Sequence, residues 1–228
     1  MTDHLQIERR TLPGVVAFRA APEGSASPGV LTGRAITFNT SSRSLYDFWE
    51  GHFTEQIDPR ALGEPTADGS VDMSLHTRVI ARTNHNSDYL LGTTDAGTLR
   101  LMLTDEGLDY EIDLPDTTYG RDLAVSAKRG DYAYSSFAFR VTADGEEWRY
   151  DENDMPLRVV TGLRLVDVAP VADPAYWSSS TEMTRDFDLD AIRARLDAER
   201  SEKTAVQEAA PDARALVLGR AMEIELSL

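Results

Sequence analysis

One stretch of the chain guides the interpretation of the rest: Tyr132-Ala133-Tyr134-Ser135-Ser136-Phe137-Ala138-Phe139-Arg140. Large and small side chains alternate along it, a pattern typical of a β-strand with one buried face. Ser135 and Ser136 stand in the middle, where a purely structural strand favours branched apolar residues. Each hydroxyl is therefore either a hydrogen-bonded group within a sheet or a nucleophile held on a rigid strand. A nucleophile needs a base and an orienting acid, and other parts of the chain must supply them.

Composition narrows the classes of protein. The chain has 228 residues, of which 41% are hydrophobic, so it can bury one sizeable core and carry an appendage. It has no cysteine, which excludes disulfides and a thiol nucleophile, and only four histidines, so a metal site is poorly supplied and we expect no cofactor. The formal net charge of -16 opposes binding to nucleic acid.

The N-terminal residues and the hydropathy of the chain indicate where in the cell the protein acts. Residues 1–10 lack the apolar core of a signal peptide, and no stretch approaches the roughly 20 apolar residues that cross a bilayer. We therefore expect a cytoplasmic protein that does not enter the membrane.

Most of the first 180 residues show strand patterns. Short alternating segments separated by Asp-Ala-Gly and Asp-Glu-Gly turns predict an antiparallel meander over residues 89–114. Residues 117–129 are predicted to form a helix that ends at Gly130, and a short helix is predicted after Asp58. Residues 148–150 are predicted to pair with the serine strand as a hairpin across residues 143–145.

The character of the chain changes near its C-terminal end. A serine-rich linker follows residue 177, and apolar residues then recur at helical spacing from Asp186 onward. The sequence therefore predicts two parts, a β domain over residues 1–180 and a helical appendage over residues 181–228.

Four histidines are candidates for the base. His85 is the best placed, because it lies in a polar turn between two predicted strands. A solvent-exposed loop histidine is the alternative interpretation. His76 is a second candidate, His52 lies among aromatic residues that favour packing or surface, and His4 is near the chain end.

The nucleophile and the acid each keep an alternative at this point. Adjacent residues on a strand point to opposite faces, so only one of Ser135 and Ser136 can face His85, and periodicity does not choose between them. Asp167 interrupts an otherwise apolar strand, where a carboxylate is costly unless it is paired. Placement on an edge strand would explain it equally well.

Five sequence blocks in a fixed order resemble the prohead protease family of tailed phages, the capsid-maturation serine proteases that are similar in fold to herpesvirus assemblins. The blocks are Gly33–Asn39, Glu55–Leu62, Asn84-His85-Asn86 before Leu91-Gly92, Ser136-Phe137-Ala138-Phe139, and Leu165–Tyr176. The resemblance covers about residues 30 to 177.

The resemblance implies roles and a fold. It makes His85 the general base, Ser136 the nucleophile and Asp167 the orienting acid, at a position where the family usually has Glu. Asn86 stands where the family often has Asp, and Arg60 and Leu62 also differ from the usual block. The implied fold is mainly β with flanking helices, a small, mostly antiparallel β-barrel, to which this chain adds a helical C-terminal tail.

The resemblance also implies an activity and partners. The expected activity is endoproteolysis of scaffold or capsid protein during prohead maturation, with self-cleavage, inside the immature capsid in the bacterial host cytoplasm. The expected partners are the major capsid protein and its scaffold segment, and the fold allows a homodimer. The alternative is a non-catalytic capsid assembly or scaffolding module of the same fold. The tail would be scaffold-binding or self-cleaved.

Overall fold

The computed structural model describes residues 7–13, 16–42, 44–47, 51–63, 66–68, 71–72, 76, 78–172 and 188–209. These residues form a mainly β protein with two α-helices. The chain divides into two compact units, Met1–Phe187 and Asp188–Leu228. The first unit contains every strand described below and the helix α1, and the second contains α2.

Within the described residues, thirteen strands form three sheets. In chain order their bounds are β1 Glu8–Pro13, β2 Ala17–Ala20, β3 Gly29–Thr37, β4 Leu45–Asp47, β5 Gly51–Ile57, β6 Ile80–Arg82, β7 Leu90–Thr93, β8 Leu99–Thr104, β9 Gly107–Asp113, β10 Tyr134–Val141, β11 Glu146–Tyr150, β12 Pro156–Val160 and β13 Leu163–Val171.

The serine strand β10 belongs to a five-stranded sheet of order β1-β10-β13-β6-β7, called here the site sheet. The second sheet has the order β11-β12-β5-β4 and the third β2-β3-β9-β8. Neighbouring strands are mostly antiparallel, and the two parallel pairs are β13 with β6 and β12 with β5. The mainly β class is thus confirmed.

Two predicted pairings are wrong. Residues 146–150 do not form a hairpin with the serine strand, because β11 pairs with β12 in the second sheet while β10 pairs with β1 and β13. The meander over residues 89–114 is split, since β8 pairs with β9 but β7 pairs with β6 in the site sheet. In both cases a tight turn was visible in the sequence, but the strand pairs with its neighbour on the other side along the chain, β12 for β11 and β6 for β7.

The helices begin and end where local signals predict. The helix α1, Thr118–Arg129, is capped by the Thr117 hydroxyl, which accepts from the N–H of Gly120, and ends at Gly130 in the left-handed region. A 3-10 helix, Pro59–Leu62, follows Asp58, whose side chain accepts from the N–H of Arg60. The helix α2, Leu189–Ala209, confirms a helical C-terminal segment, and residues 210–228 lie outside the described part.

The core of the first unit lies among the sheets. Phe137 and Phe139 project from the serine strand into it and stack with ring centroids 5.1 Å apart. Tyr110 on β9 is fully buried beside them. In the described part of the chain, no helix is long and apolar enough to cross a membrane.

Candidate active site

The two serines of β10 face opposite sides of the site sheet. Ser135 is fully buried, and its hydroxyl donates to the Tyr110 hydroxyl over 3.0 Å. Burial raises the pKa of Tyr110, and the hydrogen bond from Ser135 only partly offsets this. Ser135 is therefore a hydrogen-bonded core serine. Ser136 projects from the other face and is 1% exposed.

His85 lies in a tight loop that joins β6 to β7. The backbone of Asn84 and His85 is left-handed, with φ of 52° and 55°, a conformation that asparagine and histidine adopt more readily than branched residues. The loop is closed by the N–H of Asn86, which donates to the Thr83 carbonyl over 2.9 Å, and by the N–H of Thr83, which donates to Tyr89. These bonds hold the imidazole over the sheet.

Asp167 lies on β13, between β10 and β6 in the middle of the site sheet. An edge position therefore does not explain its carboxylate, which is 2% exposed. The register pairs Asp167 with Ala138 and Ser136 with Ala169, so Asp167 and Ser136 are diagonal neighbours on one face. The two alanines are small and leave room for a side chain above them.

That side chain is the imidazole of His85. Its Nδ1 lies 2.5 Å from Oδ1 of Asp167, and its Nε2 lies 2.6 Å from Oγ of Ser136. With an ionised carboxylate at Nδ1, that nitrogen carries the proton and Nε2 is free to accept from the serine hydroxyl. The structure thus brings together Ser136, His85 and Asp167, the three residues singled out in the sequence, which are called here the trio. The shorter Asp side chain reaches the histidine.

Three further groups contact the trio. The Ser136 hydroxyl lies within donating distance, 2.8 Å, of the Arg10 carbonyl, and the Thr11 hydroxyl lies 3.2 Å from Ser136 Oγ. Arg82, at the end of β6, has Nη1 3.8 Å from Oδ2 of Asp167. No sequence motif pointed to Arg10, Thr11 or Arg82, because each contact arises from strand pairing across the sheet.

The other histidines have different surroundings. His76 is buried, accepts from the N–H of Leu165 at Nδ1 and therefore donates from Nε2 to the Leu62 carbonyl, so both ring nitrogens are occupied away from Ser136. His52 is exposed and has Nδ1 2.8 Å from the Ser44 hydroxyl. His4 lies outside the described residues. Among the residues that the structure describes, no group of three or more His, Asp or Glu side chains is placed to bind a metal ion.

A serine hydroxyl bonded to an imidazole that is itself bonded to a carboxylate is the arrangement of a serine hydrolase. Comparison with protein families agrees with this class: the family model of the caudovirus prohead serine proteases matches residues 18–193. The chain belongs to this family of phage capsid-maturation proteases. No curated protein and no solved structure matches the chain.

Proposed function

We propose that the chain is a serine endopeptidase that uses Ser136 as nucleophile, His85 as general base and Asp167 as orienting acid. The observation that supports this most strongly is the pair of hydrogen bonds at the two nitrogens of one imidazole, to Asp167 Oδ1 and Ser136 Oγ. The family match supports a serine peptidase but names no residue.

The reaction proceeds by acyl transfer. Ser136 Oγ forms a bond to the scissile carbonyl carbon while its proton passes to His85 Nε2. The C–N bond then breaks, and the same proton leaves with the amine of the departing peptide. Water attacks the resulting ester with His85 again taking a proton, and the carboxylic acid is released as Ser136 regains its hydrogen. Asp167 stabilises the imidazolium that forms in each half-reaction.

The family match supports a capsid or scaffold protein as substrate. We propose that the enzyme cleaves the scaffold segment of the major capsid protein, and its own chain, inside the immature capsid in the host cytoplasm. We expect the C-terminal segment, residues 181–228, to bind scaffold or to be removed by self-cleavage.

The decisive experiment co-expresses the chain with its capsid protein and measures both masses. Wild type is expected to shorten the capsid protein, and Ser136→Ala is expected to leave it intact while the purified variant retains wild-type circular dichroism. Ser135→Ala is the matched control, because it removes a hydroxyl from the same strand on the opposite face. It should retain cleavage.

A second readout separates an enzyme from an assembly module of the same fold. A fluorophosphonate should phosphonylate wild type at Ser136 with loss of fluoride, identified by peptide mass, and should not label Ser136→Ala. Unchanged capsid processing by Ser136→Ala, or an unlabelled wild type, would refute the assignment. Loss of cleavage in Ser135→Ala alone would move the nucleophile by one residue.

A further inference from the structure

A group of charged side chains, of which four are buried and Glu146 is half-buried, lies outside the trio. It is called here the charge cluster and consists of Glu8, Arg10, Glu55, Glu146 and Arg158. Arg158 is fully buried, and Glu8, Arg10 and Glu55 are 4%, 8% and 3% exposed. The cluster joins β1 of the site sheet to β5, β11 and β12 of the second sheet.

Short contacts run through the whole cluster. Arg158 Nη1 lies 2.6 Å from Glu8 Oε2 and 2.8 Å from Glu55 Oε2. Arg10 donates from Nε and Nη2 to both oxygens of Glu55, over 2.7 Å and 2.8 Å, and from Nη2 to Glu8. The Arg10 guanidinium also lies over the Phe139 ring of β10, 5.5 Å from its centroid. Arg10 is thereby fixed in position by partners on three strands.

Glu8 and Arg10 stay charged in this buried position because their partners of opposite charge are present. Burial would raise the pKa of Glu8, but its hydrogen bond to Arg158 and the charges of Arg158 and Arg10 outweigh this and lower it to about 2. Burial would lower the pKa of Arg10, but the charges of Glu55 and Glu8 raise it. Taking several charges out of water is costly, so such a cluster contributes defined geometry more than net stability.

The strand β1 presents this cluster and the candidate active site on opposite faces. Glu8 and Arg10 alternate with Arg9 and Thr11, so Arg10 lies in the cluster while Thr11 faces the other way. The register pairs Thr11 directly with Ser136. Arg10 belongs to both sites, because its side chain enters the cluster while its carbonyl accepts from Ser136.

Two acceptors therefore share one serine proton. The hydroxyl of Ser136 has one hydrogen and lies 2.6 Å from His85 Nε2 and 2.8 Å from the Arg10 carbonyl. Rotation about the Cβ–Oγ bond moves the hydrogen from the carbonyl to the imidazole without moving the oxygen. The Thr11 hydroxyl can donate to that oxygen in either orientation.

We infer that β1 positions the nucleophile: the Arg10 carbonyl and the Thr11 hydroxyl hold Ser136 Oγ against His85, and the charge cluster holds β1. The inference rests on the proposed function, since it presumes that Ser136 is acylated. Arg10 and its cluster partners act as positioning residues, through the backbone of β1.

The first test changes one contact and leaves the cluster intact. Thr11→Val keeps the shape of the side chain and should lower the rate at which a fluorophosphonate phosphonylates Ser136 about three- to tenfold, as loss of one hydrogen bond implies. Thr11→Ser restores the hydroxyl and should react within about twofold of wild type. The matched control is Thr32→Val, at a half-buried position on β3, which should react like wild type.

The second test separates positioning from stability. Arg10→Met alone leaves Glu55 with one cation fewer and should destabilise the fold. The pair Arg10→Met with Glu55→Gln removes one charge of each sign and should recover much of the urea resistance. The folded double variant should still be phosphonylated about ten- to a hundredfold more slowly than wild type, since small displacements of a reacting atom have effects of that size.

The outcomes distinguish the two proposals. Wild-type phosphonylation rates in both Thr11→Val and the folded Arg10/Glu55 pair would refute the positioning role while leaving the protease assignment intact. A wild type that no fluorophosphonate labels would refute the protease assignment, and the positioning role with it. Slow phosphonylation in both variants, with rescue by Thr11→Ser, is the expected result.

Discussion

Replacement of Arg158 by methionine tests the energetics of the charge cluster directly. Arg158 is fully buried and donates to Glu8, Glu55 and Glu146. Methionine fills a similar volume but leaves these carboxylates with one buried cation fewer. Breaking a buried ion pair from one side costs about 3–5 kcal/mol, and we expect a loss of that size in the free energy of unfolding near neutral pH.

The loss should depend on pH in a defined direction. In wild type the pKa of Glu8 is lowered from 4.5 to about 2 in the folded state. Its ionised form therefore stabilises the fold fully above pH 4.5, and this contribution is lost as the pH falls toward 2. A shift of that size corresponds to about 3 kcal/mol. Without Arg158 burial dominates, the pKa of Glu8 rises, and the contribution shrinks.

Urea unfolding followed by circular dichroism measures both effects. Wild type and Arg158→Met are compared at about pH 7 and about pH 3, which lie above and within the window in which Glu8 takes up its proton. The difference in the free energy of unfolding between wild type and Arg158→Met should be larger at the higher pH. The control is Arg34→Met: Arg34 also has two carboxylate partners, Glu106 and Asp109, but its side chain is 31% exposed, so at most about 1 kcal/mol should be lost.

Two results would contradict this account. A loss below about 1 kcal/mol in Arg158→Met at neutral pH would mean that the cluster behaves like a surface ion pair. An equal loss at both pH values would mean that Glu8 does not carry the pH dependence.

Three further substitutions probe the candidate active site and the packing of the third sheet. Asp167→Asn should slow phosphonylation by a fluorophosphonate about three to four orders of magnitude with the fold retained, because a neutral amide cannot stabilise the imidazolium of His85. A rate near wild type would remove Asp167 from the mechanism. Arg82→Met should slow phosphonylation about three- to tenfold and Arg82→Lys less, since the cation faces the second oxygen of Asp167. Equal rates in the two variants would show that the charge is immaterial. Gly33→Ala should cost about 1–3 kcal/mol in urea unfolding, because an added Cβ meets the Tyr110 hydroxyl, and a neutral effect would mean that Tyr110 can move aside.

Local signals in the sequence predicted local structure well. Thr117 and Gly130 bound the helix α1, and the polar pentapeptide around His85 forms a tight loop between two strands, as expected. Strand partners were harder, because a strand of suitable pattern can pair with any neighbour that packing brings beside it. The turn at residues 143–145 therefore predicted a hairpin, although β11 pairs with β12 instead.

The candidate site was predictable only in part. Periodicity left Ser135 and Ser136 equivalent, and the family resemblance, rather than the pattern, favoured Ser136. The contacts of Arg10, Thr11 and Arg82 could not be read from the sequence, because they depend on the register of β1 with β10 and on the parallel pairing of β13 with β6. The charge cluster could not be predicted either, because charged residues at Glu8 and Arg10 would ordinarily indicate a solvated strand face, whereas both are buried.

The short acid at position 167 can be understood from the strand that carries it. A carboxylate that orients a histidine need only place one oxygen at Nδ1, so the required side-chain length depends on how near the backbone lies. Asp167 sits on the central strand, and the β13 register against β10 shifts between its pairing with Ala138 and the next pair, Phe139 with Leu165. With Ala138 opposite, no bulky neighbour separates the imidazole from the sheet. The backbone thus approaches His85 closely enough for Asp to make the 2.5 Å contact.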